Sequence, residues 1–391
     1  MSAPAAQALP ILIVGSGLAG YTAARELRKL DKQVPLVVIS RDHAGFYSKP
    51  MLSNALAGGK TAATLVMKPG PKMAEELAAT LRPHAEVRAI DAAARTVTLA
   101  DGETLAYRAL VLALGADPIR LPLEGDGAGD VLSVNDLDDY ARFADRLGGA
   151  QAVAILGGGL IGCEFANDLL ARGIVPTVID PASGPLSRLL PPEGGTYLQQ
   201  RLEAAGVRFR FGTTAVRVER NGSSAAFAVT LADGSTLVAD LVLSAIGLRP
   251  RTGLARAAGL AVNRGIVVDR RLAASATGIY ALGDCAEVEG FTLPFVMPIM
   301  QQARALAATL AGAPTEVKYP AMPVIVKTPA CPTVVWPPLP DVAGSWRVDA
   351  AADALEARFV DPEGRLLGFA LMGVATSQRQ ALAAQVPALL G

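Results

Sequence analysis

Hydrophobic residues in this chain alternate between two rhythms: short unbroken apolar runs, and longer stretches in which they recur every three or four positions. The first run, Ile11-Leu12-Ile13-Val14, reads as a buried parallel strand. A helical pattern continues to Leu30 and a second strand covers residues 36–39, which completes a βαβ start. Ser48 is placed to cap a helix with Pro50 in its first turn, and residues 65–79 read as one helix. Alternating patterns at residues 87–90, 96–99 and 104–107 predict strands, with Asp101-Gly102 as a hairpin turn. An apolar strand follows at Leu110 and stops at Gly115-Ala116.

The same order then repeats. Residues 153–156 predict a strand, a helical pattern follows, and residues 177–179 predict the next strand. The strand at 241–246 ends at Gly247-Leu248-Arg249-Pro250-Arg251 and mirrors the earlier exit at Gly115. Residues 125–129, rich in glycine and acid, read as a boundary zone. A strand at Ile279-Tyr280-Ala281 and a helix over 297–310 bring the chain back to its first unit. The remainder predicts strands at 324–326 and 358–360, a hairpin turn near Glu363-Gly364, and a closing amphipathic helix over 377–389. The expected fold is α/β, with two Rossmann-like, three-layer ββα nucleotide-binding domains and a small C-terminal α+β domain. Residues 1–116 with 245–320 form the first domain, 117–244 the second, and 321–391 the third.

Each repeat carries G-x-G-x-x-G between strand and helix: Gly15-Ser16-Gly17-Leu18-Ala19-Gly20 and Gly157-Gly158-Gly159-Leu160-Ile161-Gly162. In this context the first glycine makes the tight turn, the second lets the backbone approach a pyrophosphate, and the third lets helix and strand pack closely. Two copies imply two dinucleotides, one resident and one diffusing. Asp180 ends the second strand of the second unit, where a carboxylate binds both hydroxyls of an unphosphorylated ribose and repels a 2′-phosphate. That favours NADH over NADPH; a solvated strand-end acid is the alternative. In the first unit Ser40 stands at the equivalent place with Asp42 just beyond, so the contact to that ribose stays open.

Composition narrows the chemistry. The 36 Lys and Arg balance 36 Asp and Glu, which leaves no basic footprint for nucleic acid. No apolar stretch approaches the roughly 20 residues of a membrane helix, and no export signal precedes Ile11, so a cytoplasmic location without membrane insertion is expected. Cys163, Cys285 and Cys331 form no C-x-x-C pair, and His43 and His84 stand alone. Neither a redox disulfide nor a metal site is expected. A bound organic cofactor must do the chemistry.

The full order of motifs resembles the pyridine nucleotide-disulfide oxidoreductase superfamily. Within it, Tyr47-Ser48-Lys49-Pro50-Met51-Leu52, Gly159-Leu160-Ile161-Gly162-Cys163-Glu164-Phe165-Ala166-Asn167-Asp168 and Lys327-Thr328-Pro329-Ala330-Cys331-Pro332 look like the NADH-dependent rubredoxin reductases of aerobic bacteria. The resemblance implies that Gly15, Ser16, Gly17, Leu18, Ala19 and Gly20 hold the FAD pyrophosphate. It implies further FAD contacts from Lys49, Val87, Glu164, Asp284, Val296 and Lys327. NAD contacts fall to Gly157, Gly159, Gly162 and Asp180. Lys49 and Glu164 are the implied catalytic pair, with the glutamate bonded to that lysine beside the nicotinamide. Read from the residues alone, Glu164 fits helix-dipole stabilisation equally well, Asp284 fits a helix cap, and Lys327 fits a surface lysine.

The activity so implied is transfer of hydride from NADH to FAD, then of single electrons to rubredoxin, a separate acidic iron-sulfur protein. A ferredoxin reductase of an oxygenase system and a flavin-bound NADH sensor are the rivals. An NADH oxidase would want a cysteine near residues 49–53, and none stands there.

Overall fold

The apolar runs become the central strands of two parallel sheets in the computed structural model, which describes residues 9–222 and 226–391. In the first sheet the order is Ile279–Ala281, Ala109–Leu112, Ile11–Val14, Leu36–Ile39, Thr80–Arg82, all parallel. Ile11, Leu12 and Ile13 are wholly buried, as strands covered on both faces must be. Chain order reverses on either side of Ile11–Val14. A crevice therefore opens at its carboxyl end, where Gly15 stands. The antiparallel meander Val87–Asp91, Thr96–Leu99, Thr104–Ala106 adds the third layer.

The second unit repeats this plan. Its sheet runs Arg208–Phe211, Val175–Asp180, Ala152–Leu156, Leu241–Ser244, and a meander of Ala215–Arg220, Phe227–Leu231 and Thr236–Ala239 covers it. The two passages between the units, Ala116–Pro118 and Leu248–Pro250, pair with each other antiparallel. Arg251 locks them: its Nε donates to Asp117 Oδ1 at 2.6 Å and its Nη1 to the Leu114 carbonyl at 2.9 Å.

The C-terminal part is a five-stranded antiparallel sheet, in the order Val324–Val326, Thr333–Trp336, Leu366–Gly373, Ala354–Val360, Ser345–Ala350. One face, through Val326, Val335, Leu355, Ala357, Ala370 and Met372, shares a hydrophobic core with Leu52 and Leu56 of the first unit and with Phe165 and Leu169 of the second. All three parts of the chain meet there.

Three local expectations need correction. Residues 65–79 are not one helix: Ala62–Leu65 and Gly70–Leu77 are separate, because Pro69 drives Lys68 out of the helical region and Lys68 bridges to Phe46 instead. Ser48 does precede a helix, but a 3-10 helix, Lys49–Asn54, to which its side chain gives no cap bond. The boundary zone at 125–129 is packed on the second unit: Gly125 and Gly127 lie against Val218, whose carbonyl accepts the Gly127 N–H at 3.0 Å. The closing helix over 377–389 shrinks to Arg379–Ala383, since Leu390 leaves the helical path to bridge with Tyr319.

Candidate functional site

The two fingerprints share one geometry. Gly15 has φ +119°, and a Cβ there would lie 2.2 Å from the Ala113 carbonyl oxygen; a Cβ on Gly20 would lie 1.9 Å from that of Gly15. Gly157 (φ +108°) and Gly162 repeat both constraints, against Ala245 and Gly157. Gly17 and Gly159, by contrast, face open space. Each is the N-cap of its helix, Leu18–Leu30 and Leu160–Leu170, and neither helix has a side-chain cap bond or an acid in its first turn. Free N–H groups, positive helix ends and room for a ligand fit a diphosphate in both places.

Ser16, Ser40 and Asp42 form a cluster beside the first fingerprint. Ser16 Oγ lies 2.6 Å from Ser40 Oγ, which donates to Asp42 Oδ1 at 2.6 Å, and the Ala44 N–H donates to the same oxygen at 2.8 Å. The turn after the strand thus draws Asp42 back to the strand end, where the sequence shows only serine. In the second unit Asp180 reaches its expected place. Its Oδ2 accepts the Gly158 N–H at 2.6 Å and its Oδ1 the Ala182 N–H at 2.8 Å, so the carboxylate is held rigidly against the glycine turn. Val87, 8% exposed, opens the first meander, and Val296 begins the helix Val296–Leu310 with its side chain exposed.

The charged residues between the two fingerprints pair in a way the resemblance did not imply. Glu164 is wholly buried, and its partner is Lys327, not Lys49. Lys327 Nζ donates to Glu164 Oε2 at 2.5 Å and the Lys327 N–H donates to Oε1 at 2.9 Å. Ser53 Oγ donates to Oε2 at 2.5 Å. Helix-end stabilisation does not explain Glu164 either, because the helix starts at Leu160 and Glu164 lies beyond its first turn. Lys327 belongs to the loop after Val324–Val326, so the C-terminal sheet supplies the cation. It is no surface lysine.

Lys49 instead donates to Asn135 Oδ1 at 2.6 Å and lies 4.0 Å from Asp284 Oδ2. Burial pulls the Lys49 ammonium below the ordinary lysine range, against the pull of Asp284 in the other direction. Burial likewise pushes the Asp284 carboxyl up, opposed by Lys49 and Arg251. Asp284 sits in the 3-10 turn Gly283–Cys285 and caps no helix.

Sequence reasoning missed Ser53, Asn135, Asn167 and Asp168. Asp168 Oδ2 and Oδ1 accept the N–H groups of Leu56 and Ala57, both at 2.9 Å, and Asn167 Oδ1 accepts the Ala330 N–H at 3.0 Å. A signal was present: Glu164, Asn167 and Asp168 recur at i, i+3, i+4 on an otherwise apolar helix, a polar stripe with no solvent-facing explanation. Nothing local marks Ser53 or Asn135.

All three cysteines are free and buried. Burial pushes the Cys163 thiol up to about 12 and the Cys285 thiol to about 11, far from the thiolate a redox role requires. His43 Nδ1 accepts the Gly45 N–H at 2.9 Å and shapes its own turn. No described helix is long and apolar enough to cross a membrane.

Residues 9–308 match the family described as pyridine nucleotide-disulphide oxidoreductase, and residues 316–386 match the rubredoxin binding C-terminal domain. The chain is 49% identical to a rubredoxin-NAD(+) reductase of Alcanivorax borkumensis over 97% of its own length and 99% of the relative's. It is 48% identical to a rubredoxin-NAD(+) reductase of Acinetobacter baylyi, over 97% and 98%. Among solved structures it superposes on a ferredoxin reductase from Rhodopseudomonas palustris with a TM-score of 0.88, at 28% identity, covering 97% of this chain and 95% of that one.

Proposed function

This chain belongs to the pyridine nucleotide-disulphide oxidoreductases and ends in a rubredoxin binding C-terminal domain, and from that premise we infer that it is an FAD-dependent NADH:rubredoxin reductase. The observation that carries the reading is the Glu164–Lys327 pair, which joins the helix of the second fingerprint to the rubredoxin binding domain. When bound, FAD supplies the redox chemistry, accepting hydride from NADH and releasing electrons singly to rubredoxin.

The protein's own part is to bind, orient and exclude water. Backbone N–H groups from Ser16 to Ala19 hold the FAD diphosphate, in the space that Gly17 leaves open between the fixed Gly15 and Gly20. Ser40 and Asp42, drawn together at the strand end, would meet the adenosine ribose, and Val87 would add a further FAD contact. With FAD bound, Asp284 would accept from a ribityl hydroxyl, Val296 would contact the flavin from the start of its helix, Lys49 would supply positive charge there, and Lys327 would contact it as the ion-pair partner of Glu164. Gly157, Gly159 and Gly162 hold the NAD diphosphate, and Asp180 takes the two ribose hydroxyls. Glu164, neutralised by Lys327, closes the space between the dinucleotides without leaving a bare buried charge.

Residues 1–116 with 245–320 are the FAD domain, 117–244 the NAD domain and 321–391 the partner-binding domain. NADH is a cytoplasmic metabolite, and the enzyme is placed there with its donor. Similarity to a ferredoxin reductase keeps ferredoxin as the alternative acceptor. Stopped-flow reoxidation of the NADH-reduced enzyme separates them. Rubredoxin is expected to reoxidise it much faster than ferredoxin; a faster reaction with ferredoxin reverses the assignment, and slow reoxidation by both favours a sensor.

A further inference from the structure

Asn135 is 7% exposed, and both ends of its carboxamide are engaged. Its Oδ1 accepts from Lys49 Nζ at 2.6 Å and its Nδ2 donates to the Ala116 carbonyl at 3.0 Å. These contacts fix which way the amide faces. A carbonyl accepts only, so the NH2 group must point to Ala116 and the oxygen to the ammonium. The backbone of Asn135 is held too, through its N–H to Asp139 Oδ2 at 2.9 Å, just before the helix Leu137–Arg146 whose N-cap is Asp136. Asn135 thus hangs from the second unit, grips the passage at Ala116–Pro118, and takes hold of a lysine from the first.

We propose that Asn135 is the positioning residue for Lys49, holding its ammonium toward the flavin and away from closer pairing with Asp284. The proposal rests on the placement of Lys49 beside the flavin given above. A neutral acceptor matters here. A carboxylate at 135 would confront the Ala116 carbonyl and would cancel the field of the ammonium, whereas an amide holds the cation and lets its field extend. Asp284, 4.0 Å from Nζ, is the competitor. Without the Asn135 oxygen, Lys49 has a carboxylate within easy reach and closes on it, which removes positive charge from the flavin side. The other charged groups around Lys49 are Arg251, Asp136 and Asp117.

Potentiometric titration of the purified holoenzyme tests this. N135L should shift the reduction equilibrium of the bound flavin about tenfold toward the oxidised form, about 30 mV for two electrons. K49M should shift it in the same direction and at least as far. The deciding measurement is the double variant: in the K49M background, N135L should move the potential no further, because Asn135 acts through Lys49. An equal shift with and without Lys49, or no shift in N135L when K49M gives one, overturns the positioning role and leaves the Lys49 assignment intact. No shift in K49M overturns the Lys49 assignment itself. FAD content reports folding, and N135A completes the same cycle if N135L does not fold.

Discussion

Single residues carry the proposed nucleotide preference and decide where charge rests. Asp180 is tied by both oxygens to the Gly158 and Ala182 N–H groups, so in the proposed role it would meet a ribose with a carboxylate already oriented. D180A should erode the preference for NADH over NADPH by about ten- to a hundredfold in kcat/KM, the scale of hydrogen bonds to a charged group. Steady-state kinetics with both nucleotides check this, and unchanged selectivity would move the discrimination elsewhere. Glu164 shows the limit of reading residues one at a time. Local rules predict partners three or four positions away, whereas Lys49 and Lys327 are both remote in sequence. Which of two lysines reaches Glu164 depends on how the C-terminal sheet packs, and that sheet delivers Lys327.

At the scale of elements, the helix Leu160–Leu170 ties the three parts together. Glu164 holds Lys327, Asn167 holds the Ala330 N–H, and Asp168 holds the segment at Leu56 and Ala57. Burial pushes the Asp168 carboxyl up, but the Ala57 and Leu56 N–H groups pull against that and keep the site suited to the charged form. D168A strands two backbone donors beside the shared core and should cost about 2–4 kcal/mol. Denaturant unfolding of the holoenzyme measures it; a loss below about 0.5 kcal/mol would mean that burial of Leu52 and Leu56 alone fixes the 49–57 segment. The elements that departed from expectation did so at an internal break or at their ends. Pro69 broke a periodic stretch, and the pull of Leu390 toward Tyr319 outweighed a weak helical tendency in a segment with few buried residues.

On the scale of the whole molecule, the C-terminal domain is not an appendage. Its sheet buries one face in the core shared by both nucleotide units, and its loop completes the buried charge pair between them. Docking of rubredoxin to this domain therefore takes place on a body continuous with the flavin site. With 36 basic and 36 acidic residues the chain has no net field to steer an acidic partner, so attraction must come from a local basic patch. Turnover with rubredoxin should fall about tenfold between low and high salt while reduction of a small neutral dye stays level. Equal salt curves for the two acceptors would remove electrostatic docking.

The sequence by itself determined the repeated strand-fingerprint-helix units, the open second glycine in each, the acid at Asp180 and the paired crossings at Gly115 and Gly247. All of these are set by short-range sterics, periodicity and turn chemistry, and those act within a few residues. Only the tertiary structure decided that Ser16 meets Ser40 and Asp42, that Lys49 belongs to Asn135, and that Glu164 belongs to Ser53 and Lys327. Such partnerships join segments far apart in the chain. They arise because a buried charge must find a partner from whatever the packing brings near, and packing is a property of the whole fold.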